Sequence, residues 1–284
     1  MISVRRGAPT VVGILILAAA GCTTSESVTK FCATASTTLT AAGPVFSDMK
    51  QSCLREVNSR IPFGSFQLPV QDDPGCAMIG AQAEGAQAAA KILADYFNAI
   101  NSVASFGAVK TASSDAKDLN TKTGPAVGAD SPGQKALASI AMFLASTAAS
   151  GYRQEALEKD LTGVSANISA VVDALVVIVQ RIYIGEQLKS EEQKLRIRYE
   201  DFARGKSSPE VTLMLDDRWH ADEQALEAKR ASAQSLVTAL QALSKGFAEL
   251  AANGHSLKAK DVPALLAPYE TQLQALIPQV QKAF

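Results

Sequence analysis

The stretch LEKDLTGVSANISAVVDALVVIVQRI, residues 157–182, carries the most regular apolar spacing in the chain. Its apolar residues Leu157, Leu161, Val164, Ile168, Val171, Leu175, Ile178 and Ile182 alternate steps of four and three without a miss. On a helix of 3.6 residues per turn these positions form one stripe. Sustained over four heptad units, such a stripe packs coiled-coil fashion against a second helix. Gly163 is the weakest helix former in the run.

A partner for this stripe lies downstream. Leu226, Ala233, Leu240 and Phe247 form one seven-residue row, and Leu236, Leu243 and Leu250 form another. They predict a return helix from about Pro209 to Asn253, stopped by Asn253-Gly254. Between the two arms, Gln187 to Arg204 is highly charged but keeps Leu188, Leu195, Tyr199 and Phe202. Gly205-Lys206-Ser207-Ser208-Pro209 then makes a turn. The expectation is a long coiled-coil-like antiparallel helical hairpin with this turn at its far tip.

The flanking segments also read as helices. A first one, from about Glu26 to Ser59, carries Val28, Phe31, Ala35, Leu39, Ala42, Val45, Met49 and Val57, with a gap around Cys53. Gly43-Pro44 should kink or split it. The connector 60–75 holds three prolines and two glycines and cannot be a continuous helix. Ile79, Ala86, Leu93 and Ile100 then recur every seven, with Ala89, Tyr96 and Val103 between them. Residues 110–133 read as a flexible loop. The pattern resumes at Leu137, Ile140, Leu144 and Ala148. A last helix, around Val262 to Phe284, is expected to be interrupted by Pro268 and Pro278. Residues 30–284 thus read as a single all-α domain, an elongated antiparallel helical bundle. The 284 residues are 47% hydrophobic, enough for a core. With 27 Lys+Arg against 28 Asp+Glu, the chain lacks the basic excess that nucleic-acid binding needs.

The N-terminus carries a different kind of signal. Arg5 and Arg6 precede an apolar run from Val11 to Ala20, too short to span a bilayer, and the run ends in Ala19-Ala20-Gly21-Cys22. These residues resemble the lipobox-type signal peptide of bacterial lipoprotein precursors, with Ala19 where that class usually has leucine. The resemblance covers residues 1–22 only. It implies cleavage after residue 21, lipidation of Cys22, and a mature chain of 263 of the 284 residues. Thr23, rather than aspartate, implies outer-membrane retention in a Gram-negative cell. Two or three acyl chains anchor a protein stably without a transmembrane helix. Losing Arg5 and Arg6 leaves 25 basic against 28 acidic residues, so the acyl chains are the main expected attachment to the membrane. The Ser/Thr-rich residues 22–29 read as a lipidated tether.

An exported chain meets an oxidising compartment, and Cys32, Cys53 and Cys76 remain once Cys22 is lipidated. Cys53–Cys76 is the favoured pair, bridging the connector, with Cys32 left over. Cys32–Cys53 and Cys32–Cys76 are the alternatives.

Other constellations are weak. Asp216, His220 and Glu223 share one helix face, and Asp217 with His220 has the carboxylate-x-x-His spacing of bundle di-metal sites. Such a site needs a second pair, and the other histidine, His255, sits in a turn. No nucleophile–base set or phosphate loop is complete. A non-catalytic protein with neither metal nor cofactor is expected. Its role reads as a lipid-anchored structural or interaction module with envelope protein partners. Two alternatives are a membrane-active, pore-former-like protein using the apolar segment 168–184, and a bundle carrier of an apolar small molecule. Asp173, Gln180 and Arg181 interrupt that segment, which reads better as a central bundle helix.

Overall fold

The computed structural model describes residues 17–63, 65, 67–105, 123–124, 126, 131–150, 154–205, 208–253 and 261–284. They form α1 (Leu17–Ala41), α2 (Gly43–Asn58), α3 (Pro74–Ala104), α4 (Pro132–Ser150), α5 (Gln154–Val177), a π-helical segment (Ile178–Leu188), α6 (Lys189–Arg204), α7 (Pro209–Ala252) and α8 (Val262–Gln281). Among the described residues there is no strand, and the fold is an all-α helical bundle.

The seven-residue rows define the core. Leu226, Ala233, Leu240 and Phe247 are buried along α7, together with Leu236, Leu243 and Leu250. They pack on α8, on α5 and on the π segment. Leu161, Ile168, Val171, Leu175 and Ile178 are buried on the opposing arm, and Gly163 leaves the helix unbroken. The side chain of Leu157 lies outside the described residues. Both rows of α3 are buried as well, against α1 and α2. A cluster of rings closes this end of the bundle. Phe97 meets Phe31 and Phe247 edge-on at 6.2 and 5.6 Å between centroids, and Tyr96 meets Phe247 at 5.8 Å. Such edge-to-face pairs add to the burial of the rings themselves.

Phe31 and α7 approach closely. A Cβ built on Gly246 would lie 2.6 Å from Phe31 Cε2 and 3.0 Å from Tyr269 Cβ. Gly246 is therefore what lets α1, α7 and α8 meet at this level. Farther along, Lys229 of α7 reaches Asp48 of α2. The contacts advance along α1 and α2 while they retreat along α7, so α7 runs antiparallel to α1 and α2. The end of α6 at Arg204 and the start of α7 at Pro209 thus lie away from residue 26.

Helix boundaries follow local chemistry. α1 ends at Ala41 and α2 restarts at Gly43 with Pro44 in its first turn, the expected split. Asp73 caps α3, its carboxylate accepting from Gly75 N at 2.7 Å. Ser208 caps α7 by accepting from Val211 N.

Four expectations differ from what is observed. Thr23 to Thr29, read as a tether, lies within α1, and Val28 is buried. Serine and threonine are compatible with a helix when their hydroxyls bond back to its own carbonyls, as they do further along α1. Thr37, Thr38 and Thr40 each donate to the carbonyl four residues earlier. α8 runs unbroken through Pro268 and Pro278, with Leu266, Leu273 and Val280 buried every seven residues. Packing on α1 and α7 outweighs the backbone hydrogen bonds that the two prolines forgo. Most of the loop expected at 110–133 lies outside the described residues. Thr123, inside that range, is helical and buried, and its hydroxyl donates to Gln134 Oε1 at 3.2 Å.

The fourth difference is one of register. The four-three alternation predicts Ile182 in the core, but Ile182 is half-buried and Tyr183 takes the interior position. The π segment is the cause. Its i→i+5 bonding carries about one residue more per turn than an α-helix, so the stripe slips by one position.

Candidate functional site

Beyond the core, α2, the π segment, α6 and the first half of α7 enclose a polar network. Asp48, Ser52 and Arg55 sit on one face of α2. Arg55 holds Asp48 with two hydrogen bonds of 2.9 and 2.7 Å, and its Nε donates to Glu191 Oε1 at 2.5 Å. Ser52 Oγ donates to Glu191 Oε2 at 2.6 Å. Tyr183 OH donates to Asp48 Oδ2 at 2.6 Å, and Lys229 Nζ to Asp48 Oδ1 at 3.0 Å. Glu191 is 2% exposed. Two carboxylates thus face two cations, and the charges balance.

Burial alone would raise the Asp48 carboxyl. Arg55, Tyr183 and Lys229 outweigh it and hold the group below the usual carboxylate range. Burial, and then the charge of Asp48, push the Tyr183 hydroxyl well above the ordinary phenol range. Every group has a partner at good distance, so the arrangement serves to lock four elements together.

The disulfide stands beside this network. Cys53 on α2 and Cys76 on α3 are bonded, with Cα atoms 5.7 Å apart across 23 residues of sequence. That is the favoured pairing, and it closes the connector. Cys32 is left free and buried in α1, where burial pushes its thiol up, far from thiolate reactivity. The connector is also clamped by Asn58, whose amide donates to Val70 O at 3.1 Å and accepts from Val70 N at 2.6 Å.

The connector in turn covers α6. Phe63 packs on Tyr199 and Phe202 at 5.3 and 5.2 Å, and the Arg198 guanidinium lies over the Phe63 ring at 4.0 Å. Tyr199 also meets Trp219 of α7 at 5.8 Å. Burial, and then the 2.7 Å hydrogen bond to Asp222, push the Tyr199 hydroxyl up to about 12.

Two open grooves flank α6 at this tip. One, of about 500 Å³, lies between α6 and α7 and includes Tyr199, Ala203, Leu213, Leu215 and Trp219 in its walls. Leu213 and Met214 beside it are 63% and 71% exposed. The other, of about 480 Å³, lies between the connector and α6, with Arg60, Phe63, Lys194, Ile197 and Arg198 among its walls.

The remaining sequence candidates separate. Asp216, His220 and Glu223 do share one exposed face, with His220 Nε2 3.8 Å from Asp216 and Nδ1 3.4 Å from Glu223. Among the described residues no group of His, Cys, Asp and Glu is placed to hold a metal ion. His255 lies outside the described residues. Cys22 falls within α1, and its side chain is not described. The helical stretch Gly163–Arg204 includes a window apolar and long enough to cross a membrane. Its exposed positions carry Asp173, Gln180, Arg181 and Glu186, and also two large apolar residues, Val177 and Ile197.

Sequence reasoning missed the network. The signal was the gap in apolar spacing around Cys53, because Asp48, Ser52 and Arg55 follow one another at i, i+4 and i+7. No protein-family model matches the chain, and no curated protein or solved structure matches it.

Proposed function

We infer that the chain is a lipid-anchored structural and interaction module of the bacterial envelope, non-catalytic and working without a cofactor. One observation carries this reading: the ordered N-terminal sequence of Arg5-Arg6, the apolar run to Ala20, and Ala19-Ala20-Gly21-Cys22. In this reading residues 1–21 are removed, Cys22 carries the acyl chains, and Thr23 directs the mature chain to the periplasmic face of the outer membrane. The burial of Val28 supports a short link, because the helix is docked within six residues of Cys22. The bundle is then an elongated spacer whose hairpin packs coiled-coil fashion. α7, at 44 residues, extends about 66 Å. Its base is held by acyl chains and its tip offers two grooves to protein partners of the envelope.

Radiolabelled palmitate tests the anchor. Label should enter the chain, and a Cys22→Ala form should leave the membrane fraction. An unlabelled wild-type chain, or a Cys22→Ala form that still fractionates with membranes, would refute the reading.

A further inference from the structure

We propose that the groove between the connector and α6 is a docking site for an acidic, apolar-flanked peptide segment of a partner protein, with a partner carboxylate seated on Arg198 and Lys194. The inference deepens the interaction-module reading by assigning the partner's chemistry.

Two cations of this groove lack anions. Lys194 and Arg198 form no ion pair among the described residues, whereas other basic residues nearby do: Arg196 with Glu200, Arg204 with Glu200 and Asp201, Arg230 with Glu192. Arg198 Nε is buried and has no acceptor. A desolvated donor left unpaired is uncommon in native proteins. The face of this guanidinium is already taken by Phe63 at 4.0 Å. With Nε buried, what remains is the terminal edge, where the two Nη groups form a fork that a carboxylate engages through two parallel hydrogen bonds. Arg60 stands across the groove, tied to Glu56 at 3.3 Å, and adds positive potential.

The groove also selects the carrier of that carboxylate. Ile61, Pro62, Phe63, Ile197 and Phe202 make its walls largely apolar, which suits side chains flanking an acidic residue. Asp201 lines the same groove, held by Arg204 at 3.6 Å. Its negative charge favours a singly charged carboxylate over a doubly charged phosphate. The site lies at the tip, at the opposite end of the bundle from residue 26. A protein segment can reach it, whereas the bilayer that would hold Cys22 lies at the other end.

A random-peptide phage library panned on the full chain in detergent tests the site. Selected peptides should carry Asp or Glu beside Leu, Ile or Phe. Arg198→Glu and Lys194→Glu should each weaken their binding about tenfold or more, as loss of a charge-assisted contact implies. An Arg198→Lys form, which keeps the charge but loses the fork, should fall between. Circular dichroism and the unfolding midpoint establish that each variant is folded. Enrichment of peptides without acidic residues, or of acidic peptides that bind the Arg198→Glu form equally well, would overturn the assignment. So would an empty selection accompanied by Arg198-dependent binding to phosphatidylglycerol vesicles, which would give the groove to a lipid surface. The selection does not depend on how the chain is anchored. Acidic peptides without palmitate incorporation would remove the anchor and keep the groove, and the converse would keep the anchor and remove the groove.

Discussion

The two ends of the bundle are built on different principles. At the base, α1, α3, α7 and α8 bury Phe31, Phe97, Leu243 and Phe247 in a continuous apolar core. Toward the tip, α2, the π segment, α6 and α7 are joined by Asp48, Ser52, Arg55, Tyr183, Glu191 and Lys229, and then by rings packed beneath an open surface. Apolar packing is additive and forgiving of exchange between similar side chains. A buried ionic network is not, because removing one member strands the others without solvent. The base should therefore tolerate conservative change, and the tip should fail abruptly.

Removing one carboxylate of the network tests that contrast directly. Asp48→Ala strands Arg55, Tyr183 and Lys229, and should cost about 3–5 kcal/mol in denaturant unfolding. Hydrogen exchange should rise first in α2 and α6. A loss below about 1 kcal/mol would mean that the network contributes no locking.

Acid probes the same residues. The Asp48 carboxyl is lower in the folded chain than in the unfolded one. Its contribution is therefore present above the unfolded value of about 4 and is lost as pH falls below it. Tip amides should lose protection before base amides as pH drops from about 5 toward 2. Alkali does not separate the ends, because Tyr183 at the tip and Cys32 at the base are both pushed up.

Opening the disulfide comes next. Cys53→Ser with Cys76→Ser frees a loop of 23 residues and should cost about 3 kcal/mol. It should also loosen Phe63 over α6, seen as a change in Trp219 fluorescence. Unchanged emission would separate the connector from the tip.

The smallest effects concern two glycines of the long arms. Gly246→Ala would place a methyl group 2.6 Å from Phe31 and should cost about 1 kcal/mol net, overpacking outweighing the gain in helix propensity. Gly163→Ala meets nothing within 4 Å and should stabilise by up to about 1 kcal/mol. Thermal midpoints that moved the same way for both would contradict the close packing at the base.

How much could be read from the sequence follows the same division. The rows of α3, α5 and α7 were legible, because a seven-residue period is visible within one helix. The Cys53–Cys76 pair was legible because a proline-rich connector limited the geometry. The lock between Asp48 and Tyr183 was not, since its partners stand 135 residues apart and carry no local pattern. The docking of Phe63 beneath Arg198 was hidden for the same reason. Composition misled at residues 22–29, where serine and threonine suggested a tether and the backbone is instead part of α1. It misled again at Pro268 and Pro278, where neighbours hold a helix that local rules would break.

The π segment has a consequence for how such a molecule can change over generations. Helices of fixed pitch cannot gain or lose a residue without rotating everything beyond the change by about 100°. A wide stretch such as Ile178–Leu188 holds that slack in one place. Deleting a single residue there would let the stretch relax toward an α-helix while leaving the seam on either side in phase. The same joint that turns Tyr183 inward thus works as an expansion coupling. It would absorb a change in the outer arm with the inner arm untouched.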